Sequence, residues 1–201
     1  RENKIIPEKC DLNDILFLMT PAESETKMND LVAKLIRFEQ LIDQDAPMSE
    51  VLPSIYNAYE EKYRGYTIRR LCQEMHDFYK DRKVSTLQKE LFLKDYFPEY
   101  VMNPQEAQYE FMRAHGELVD LADAEGRTAL EGALPYPPGV LCVHPGEKWS
   151  KTAVTYFLDL VEGINQLPGF APEIQGVYVQ PGADGKKHAY GYVLKKEFEK
   201  K

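Results

Sequence analysis

The apolar residues of this chain change period along its length, and that change leaves room for little except a mixed fold of helices and short strands. Met28, Leu31, Val32, Leu35, Phe38, Leu41 and Ile42 recur at spacings of three and four. This is the period of a helix with one buried face, and it predicts a helix over residues 24–45. Ala46-Pro47 then breaks the chain, and Leu52, Ile55, Tyr56 and Tyr59 mark a second helix that ends at Arg64-Gly65. Ile68, Leu71, Cys72, Met75, Phe78 and Tyr79 carry the pattern through a third over 67–81, capped by Thr67. Residues 87–95 continue helical, Asn103-Pro104 opens a helix to about His115, and residues 152–165 form another. Proline suits a first helical position because its absent N–H has no bond to lose there. Strands are expected at 118–121 and 140–143, and 177–181 with 189–194 read as a hairpin over Ala183-Asp184-Gly185. The expected class is α+β.

The longest apolar run, Ile15 to Met19, suits a buried strand and falls far short of the roughly 20 residues that span a bilayer. A strand feeding a helix is one α/β unit, yet no parallel neighbour follows, and unpaired backbone groups need a partner. The segment therefore reads as cut from a larger sheet. The opening Arg1-Glu2-Asn3-Lys4 has neither the apolar stretch of a signal peptide nor an initiating Met, so the start reads as internal. A formal net charge of -8 argues against a nucleic-acid surface, which needs a basic stripe to displace phosphate counterions. Cys10, Cys72 and Cys142 are odd in number and far apart, with no metal-ligand spacing to His76, His115, His144 or His188. Reduced thiols in a cytoplasmic protein without a metal are expected.

Few residues suggest chemistry by themselves. Gly182-Ala183-Asp184-Gly185 lacks the Lys-Ser/Thr ending and the strand-to-helix setting of a phosphate loop and reads as a turn. His144, with Glu147 to orient it, has the make-up of a general base, against which stands an ordinary histidine at a strand end. Alternation along a strand 140–143 would bring Cys142 to the same face as His144, the pairing of a thiol hydrolase. A small buried apolar side chain is the competing account of that cysteine. The 13 tyrosines fall mostly at core-like helical spacing, so packing accounts for them first.

The run from Glu131 through Leu134-Pro135-Tyr136-Pro137-Pro138-Gly139-Val140-Leu141-Cys142-Val143-His144 to Pro145-Gly146-Glu147 closely resembles the C-terminal signature of the bacterial ornithine, lysine and arginine decarboxylases. Ile6-Pro7-Glu8-Lys9-Cys10-Asp11-Leu12, Leu52-Pro53-Ser54-Ile55-Tyr56, Met102-Asn103-Pro104-Gln105-Glu106-Ala107, Pro168-Gly169-Phe170 and Gly176-Val177-Tyr178 are similar to further blocks of that family, in its order. The likeness covers essentially the whole chain. Pro7 to Asn13 and Tyr136 to Val143 resemble the ornithine branch; a lysine or arginine branch, or a non-catalytic interaction domain, is the alternative.

The resemblance implies residues 1–62 as the end of an aminotransferase-like small domain. Residues 63–201 would then be the family's C-terminal domain, with an antiparallel sheet. It implies a parent enzyme that uses pyridoxal phosphate on a Schiff-base lysine to convert L-ornithine to putrescine and CO₂ in polyamine biosynthesis. That lysine sits in a Ser-x-His-Lys context absent from this sequence, so no catalytic residue and no covalent cofactor are expected here, and the isolated chain should be inert. Its partners would be the N-terminal cofactor-binding core of the same protein and further copies, as a homodimer or larger assembly. Glu8 is the residue the family pattern places against the substrate's side-chain ammonium. Tyr136, Pro137, Pro138, Gly139 and Glu147 are expected to shape the active-site channel, the paired prolines holding a rigid path by fixing φ.

Overall fold

Ser24 caps the first long helix by accepting the Lys27 amide. The structure, a computed structural model, describes residues 4–10, 14–136 and 139–199. These divide into two units, Arg1–Tyr79 and Lys80–Lys201.

The first unit opens with a minimal antiparallel ribbon, β1 (Lys9–Cys10) and β2 (Ile15–Leu16), with Lys9 opposite Leu16 and Cys10 opposite Ile15. The expected buried strand Ile15–Met19 is thus two residues long, and Ile15 and Leu16 are each 55% exposed. Among the described residues it pairs antiparallel with β1, the strand just before it in the chain, rather than with a parallel neighbour. Helix α1 (Glu25–Asp43) follows as predicted, but none of its residues is buried.

The end of α1 shows why the chain breaks where it does. Asp45 takes a left-handed φ of 50°, which lets the Ala46 amide reach the Leu41 carbonyl and the Asp45 amide reach Ile42, a Schellman closure. Arg69 adds a guanidinium hydrogen bond to the carbonyls of Ile42 and Asp43, each at 3.0 Å. The predicted second helix is three short ones, α2 (Met48–Val51), α3 (Pro53–Ala58) and α4 (Glu60–Tyr63). Pro53 has no amide to donate and its ring crowds the preceding turn, so Leu52 leaves the helical region. Helix α5 (Ile68–Asp81) matches the predicted third, with the Thr67 hydroxyl accepting the Arg70 amide. Met48, Val51, Tyr63, Tyr66, Ile68 and Leu71 are buried here.

In the second unit α6 (Val84–Glu90) stops short of the expected 87–95, which ends instead in a 3-10 turn at Lys94–Tyr96. Helix α7 (Pro104–Met112) carries a full capping box between Asn103 and Glu106. Then come β3 (Gly116–Asp120), β4 (Leu134–Tyr136), α8 (Lys151–Gln166), β5 (Glu173–Gln175), β6 (Tyr178–Pro181) and β7 (Lys187–Leu194). The main sheet is antiparallel in the order β3-β7-β6, and β4 pairs with β5 separately. The expected hairpin is β6–β7. The expected strand at 140–143 is absent: among the described residues its one pairing is a single bridge from Val143 to Ala133. Helix α8 packs on β7 and α6, and Trp149, buried, meets Phe157 edge to face at 5.9 Å between ring centres. Among the described residues no helix is long and apolar enough to cross a membrane.

Candidate functional site

The segment from β4 to Glu147 is built by backbone crossings, and glycine makes the tightest of them possible. Val101 and Met102 both donate their amides to the Gly146 carbonyl, at 3.0 and 3.1 Å. Gly146 stands at φ 91°, and a Cβ there would lie 2.1 Å from the Met102 carbonyl oxygen, a separation no side chain tolerates. Glu147 closes the same turn. Its carboxylate accepts the His144 amide at 2.8 Å and lies 3.2 Å from His144 Nδ1, while its own amide reaches the His144 carbonyl. The Pro145-Gly146-Glu147 motif is therefore a turn across which residues 101–102 run.

Of the residues expected to shape a channel, Tyr136 ends β4 opposite Glu173 and is half exposed. Gly139, at φ 78°, returns the chain by donating its amide to the Pro135 carbonyl at 3.0 Å. A Cβ on Gly139 would sit 2.9 Å from the Tyr136 ring, so the two form one local corner. Pro137 and Pro138 lie outside the described residues. Glu8, in the first unit, is exposed, and its amide donates to the Leu16 carbonyl at 2.8 Å.

The thiol-hydrolase alternative does not survive. With no strand at 140–143, alternation no longer sets Cys142 and His144 on one face. Cys142 is buried, its sulfur faces the Val140 carbonyl at 3.6 Å, and burial pushes the thiol up to about 12. A thiol so weakly acidic holds its proton at neutral pH and is no nucleophile. His144 is exposed and engaged by Glu147. Among the described residues no cluster of His, Cys, Asp or Glu has the make-up of a metal site.

Three charge clusters escaped the sequence reading. Arg127, its side chain 13% exposed, is held by Glu117 at 2.6 Å, Glu199 at 3.2 Å and the Leu194 carbonyl at 2.7 Å. Burial lowers its affinity for a proton, but the hydrogen bonds to Glu117 and Glu199 outweigh this and raise it. His115 pairs with Glu110 and stacks on Phe198. Asp159, buried on α8, pairs with Arg82. Only Asp159, set between Phe157-Leu158 and Leu160-Val161, signals itself locally; the partners of Arg127 lie 10 and 72 residues away. A cavity of about 830 Å³ beside Arg127 is lined by Glu117, Asp120, Asp123, Glu125 and Glu197, with Lys195 and Lys196 as its other cations.

The family model of the Orn/Lys/Arg decarboxylase C-terminal domain matches residues 85–195. The inducible ornithine decarboxylase of Escherichia coli (strain K12) is 62% identical over 97% of this chain and 26% of its own length. The ornithine decarboxylase of Haemophilus influenzae is 64% identical over 96% of this chain and 27% of its own length. Lysine decarboxylases stand at 30 to 34% identity. Among solved structures, lysine decarboxylase A from Pseudomonas aeruginosa superposes with a TM-score of 0.88 at 30% identity, covering 96% of this chain and 26% of that one. The chain spans about a quarter of the length of the curated relatives it matches.

Proposed function

Since the chain belongs to the Orn/Lys/Arg decarboxylase family through that family's C-terminal domain, we propose that it is the C-terminal portion of a cytoplasmic L-ornithine decarboxylase, which releases CO₂ and putrescine. The observation that carries this reading is the gap in identity, 61 to 64% to ornithine decarboxylases against 30 to 34% to lysine decarboxylases. The exposed apolar face of α1, with Val32, Leu35, Ile36 and Phe38 at the surface, supports a covering partner, because contiguous apolar surface of this kind is costly in water. In this reading residues 1–62 finish an aminotransferase-like small domain, residues 63–201 form the C-terminal domain, and the parent assembles as a homodimer or larger ring.

Pyridoxal phosphate would be supplied by the N-terminal core, where its ring serves as electron sink for the decarboxylation. This chain does not fit the role of its holder. None of its four histidines precedes a lysine, and the cavity beside Arg127 is rimmed mainly by carboxylates, unfavourable to a phosphate. The chain's own contribution is recognition. Glu8 would accept a charge-assisted hydrogen bond from the substrate's side-chain ammonium, which separates a diamino acid from an uncharged analogue. Tyr136, Pro137, Pro138, Gly139 and Glu147 would line the approach.

Mixing this chain with the separately produced N-terminal core, pyridoxal phosphate and L-ornithine tests the reading. CO₂ and putrescine formed only by the mixture is the expected result, with lysine turned over poorly. Folded pieces that associate and decarboxylate no diamino acid would overturn it. In the full-length enzyme Glu8→Gln should lower kcat/KM for ornithine at least about tenfold, mainly through KM.

A further inference from the structure

Between α6 and α7 the chain is well fixed, yet it turns its large apolar side chains to water. Leu91 is buried, and burial stops there. Of the nine residues from Phe92 to Tyr100, five are large and apolar or aromatic: Phe92, Leu93, Tyr96, Phe97 and Tyr100. All five are exposed, Phe97 by 59% and Tyr100 by 64%. Hydrogen bonds hold the segment at both ends. The amides of Phe92, Leu93 and Tyr96 donate to the carbonyls of Lys89, Glu90 and Leu93. At the far end Tyr100 bridges Glu147, the Lys148 amide donates to the Glu99 carbonyl at 2.9 Å, and Lys148 Nζ reaches the Glu99 carboxylate, also at 2.9 Å. The outward rings are therefore set by the fold. Tyrosine and phenylalanine presented in this way are the side chains enriched at protein interfaces, where they supply contact area at small entropic cost.

We propose that Phe92–Tyr100 is a docking strip for the catalytic core of the parent decarboxylase, an assignment that rests on the family reading above. Two observations choose this occupant. About three quarters of each curated relative lies outside the match with this chain, so a much larger body is joined to this one. The strip is also bound to the turn that carries Glu147, through the Tyr100 bridge and through the Val101 and Met102 amides on Gly146. With Glu147 lining the approach to the active site, the core that contains that site comes up against this turn, and Tyr100 and Phe97 beside it fall under the same cover. The apolar stripe of α1 belongs to the other unit, so each unit meets the core through a surface of its own.

Hydroxyl-radical footprinting, which oxidises solvent-exposed aromatic rings, compares this chain with the full-length parent. Phe97 and Tyr100 should be oxidised several-fold more slowly in the parent. Phe97→Asp, which would bury an unpaired carboxylate beneath the core, should return Tyr100 in the parent most of the way to its rate in this chain. The same substitution should leave the urea midpoint of this chain unchanged, because Phe97 is exposed there. Equal oxidation in chain and parent, or a Tyr100 that stays shielded in Phe97→Asp, would overturn the proposal. Shielding that appears in this chain alone as its concentration rises would assign the strip to a second copy and overturn the choice of the core. A parent that shields the strip and decarboxylates no diamino acid would support the strip and count against the substrate reading alone.

Discussion

At Cys142, burial and reactivity oppose each other. A sequence shows that a cysteine and a histidine are two residues apart, but only the absence of a strand at 140–143 shows that they do not act together. With its thiol pushed up to about 12, Cys142 should react with iodoacetamide at neutral pH far more slowly than the exposed Cys10; comparable rates in a folded sample would contradict this burial. Gly146 shows the reverse case, in which a motif was legible while its reason was not. Pro-Gly-Glu reads as a turn, yet the need for glycine comes from Met102, 44 residues earlier in the chain. Gly146→Ala should cost more than about 2 kcal/mol in urea denaturation, combining left-handed strain with a clash against backbone. Arg127 was legible in neither sense, because a charge in a loop gives no sign of carboxylates brought to it by β3 and by the residues after β7.

At the scale of elements, helices with local start and stop signals were read well. Asn103 and Thr67 start their helices where the pattern puts them because each capping bond closes within three residues. Strands fared worse where their pairing is distant: Val140–Val143 is apolar enough for a strand, but among the described residues the neighbouring backbone offers it one bridge only. Helices α4 and α5 are joined by Glu74, which takes a hydrogen bond from Lys62 at 2.9 Å and from the Tyr66 hydroxyl at 2.8 Å. Burial alone would raise the Glu74 carboxyl, but those two bonds prevail and lower it. A carboxyl depressed in the folded state stabilises fully above the ordinary carboxylate range and loses that contribution as pH falls through the depressed value. The stability difference between the parent and Glu74→Gln should therefore be greatest near neutrality and shrink below about pH 4. A difference that grows with acidity would contradict the pairing.

The whole molecule comprises two units of different character. The second carries a sheet, a buried helix α8 and an interior containing Trp149, Phe157, Leu194 and Val193; the first presents β2 and the apolar stripe of α1 to water. If that stripe is the seat of a catalytic core, Leu35→Lys or Ile36→Lys should leave folding stability within about 0.5 kcal/mol of the parent. Either should abolish binding to the separately produced core in a co-sedimentation assay. Binding that persists would move the contact elsewhere. By itself the sequence determined the helices with local caps, the β6–β7 hairpin, the α+β class and, through the Pro-Pro-Gly and Pro-Gly-Glu runs, the family, because period, capping and turn chemistry act over a few residues. Only the tertiary structure decided that Cys142 is inert, that Gly146 answers to Met102, and that Arg127, His115 and Asp159 hold distant segments together. Those outcomes depend on which parts of the chain meet across long loops, where burial and charge are set by neighbours that no local pattern names.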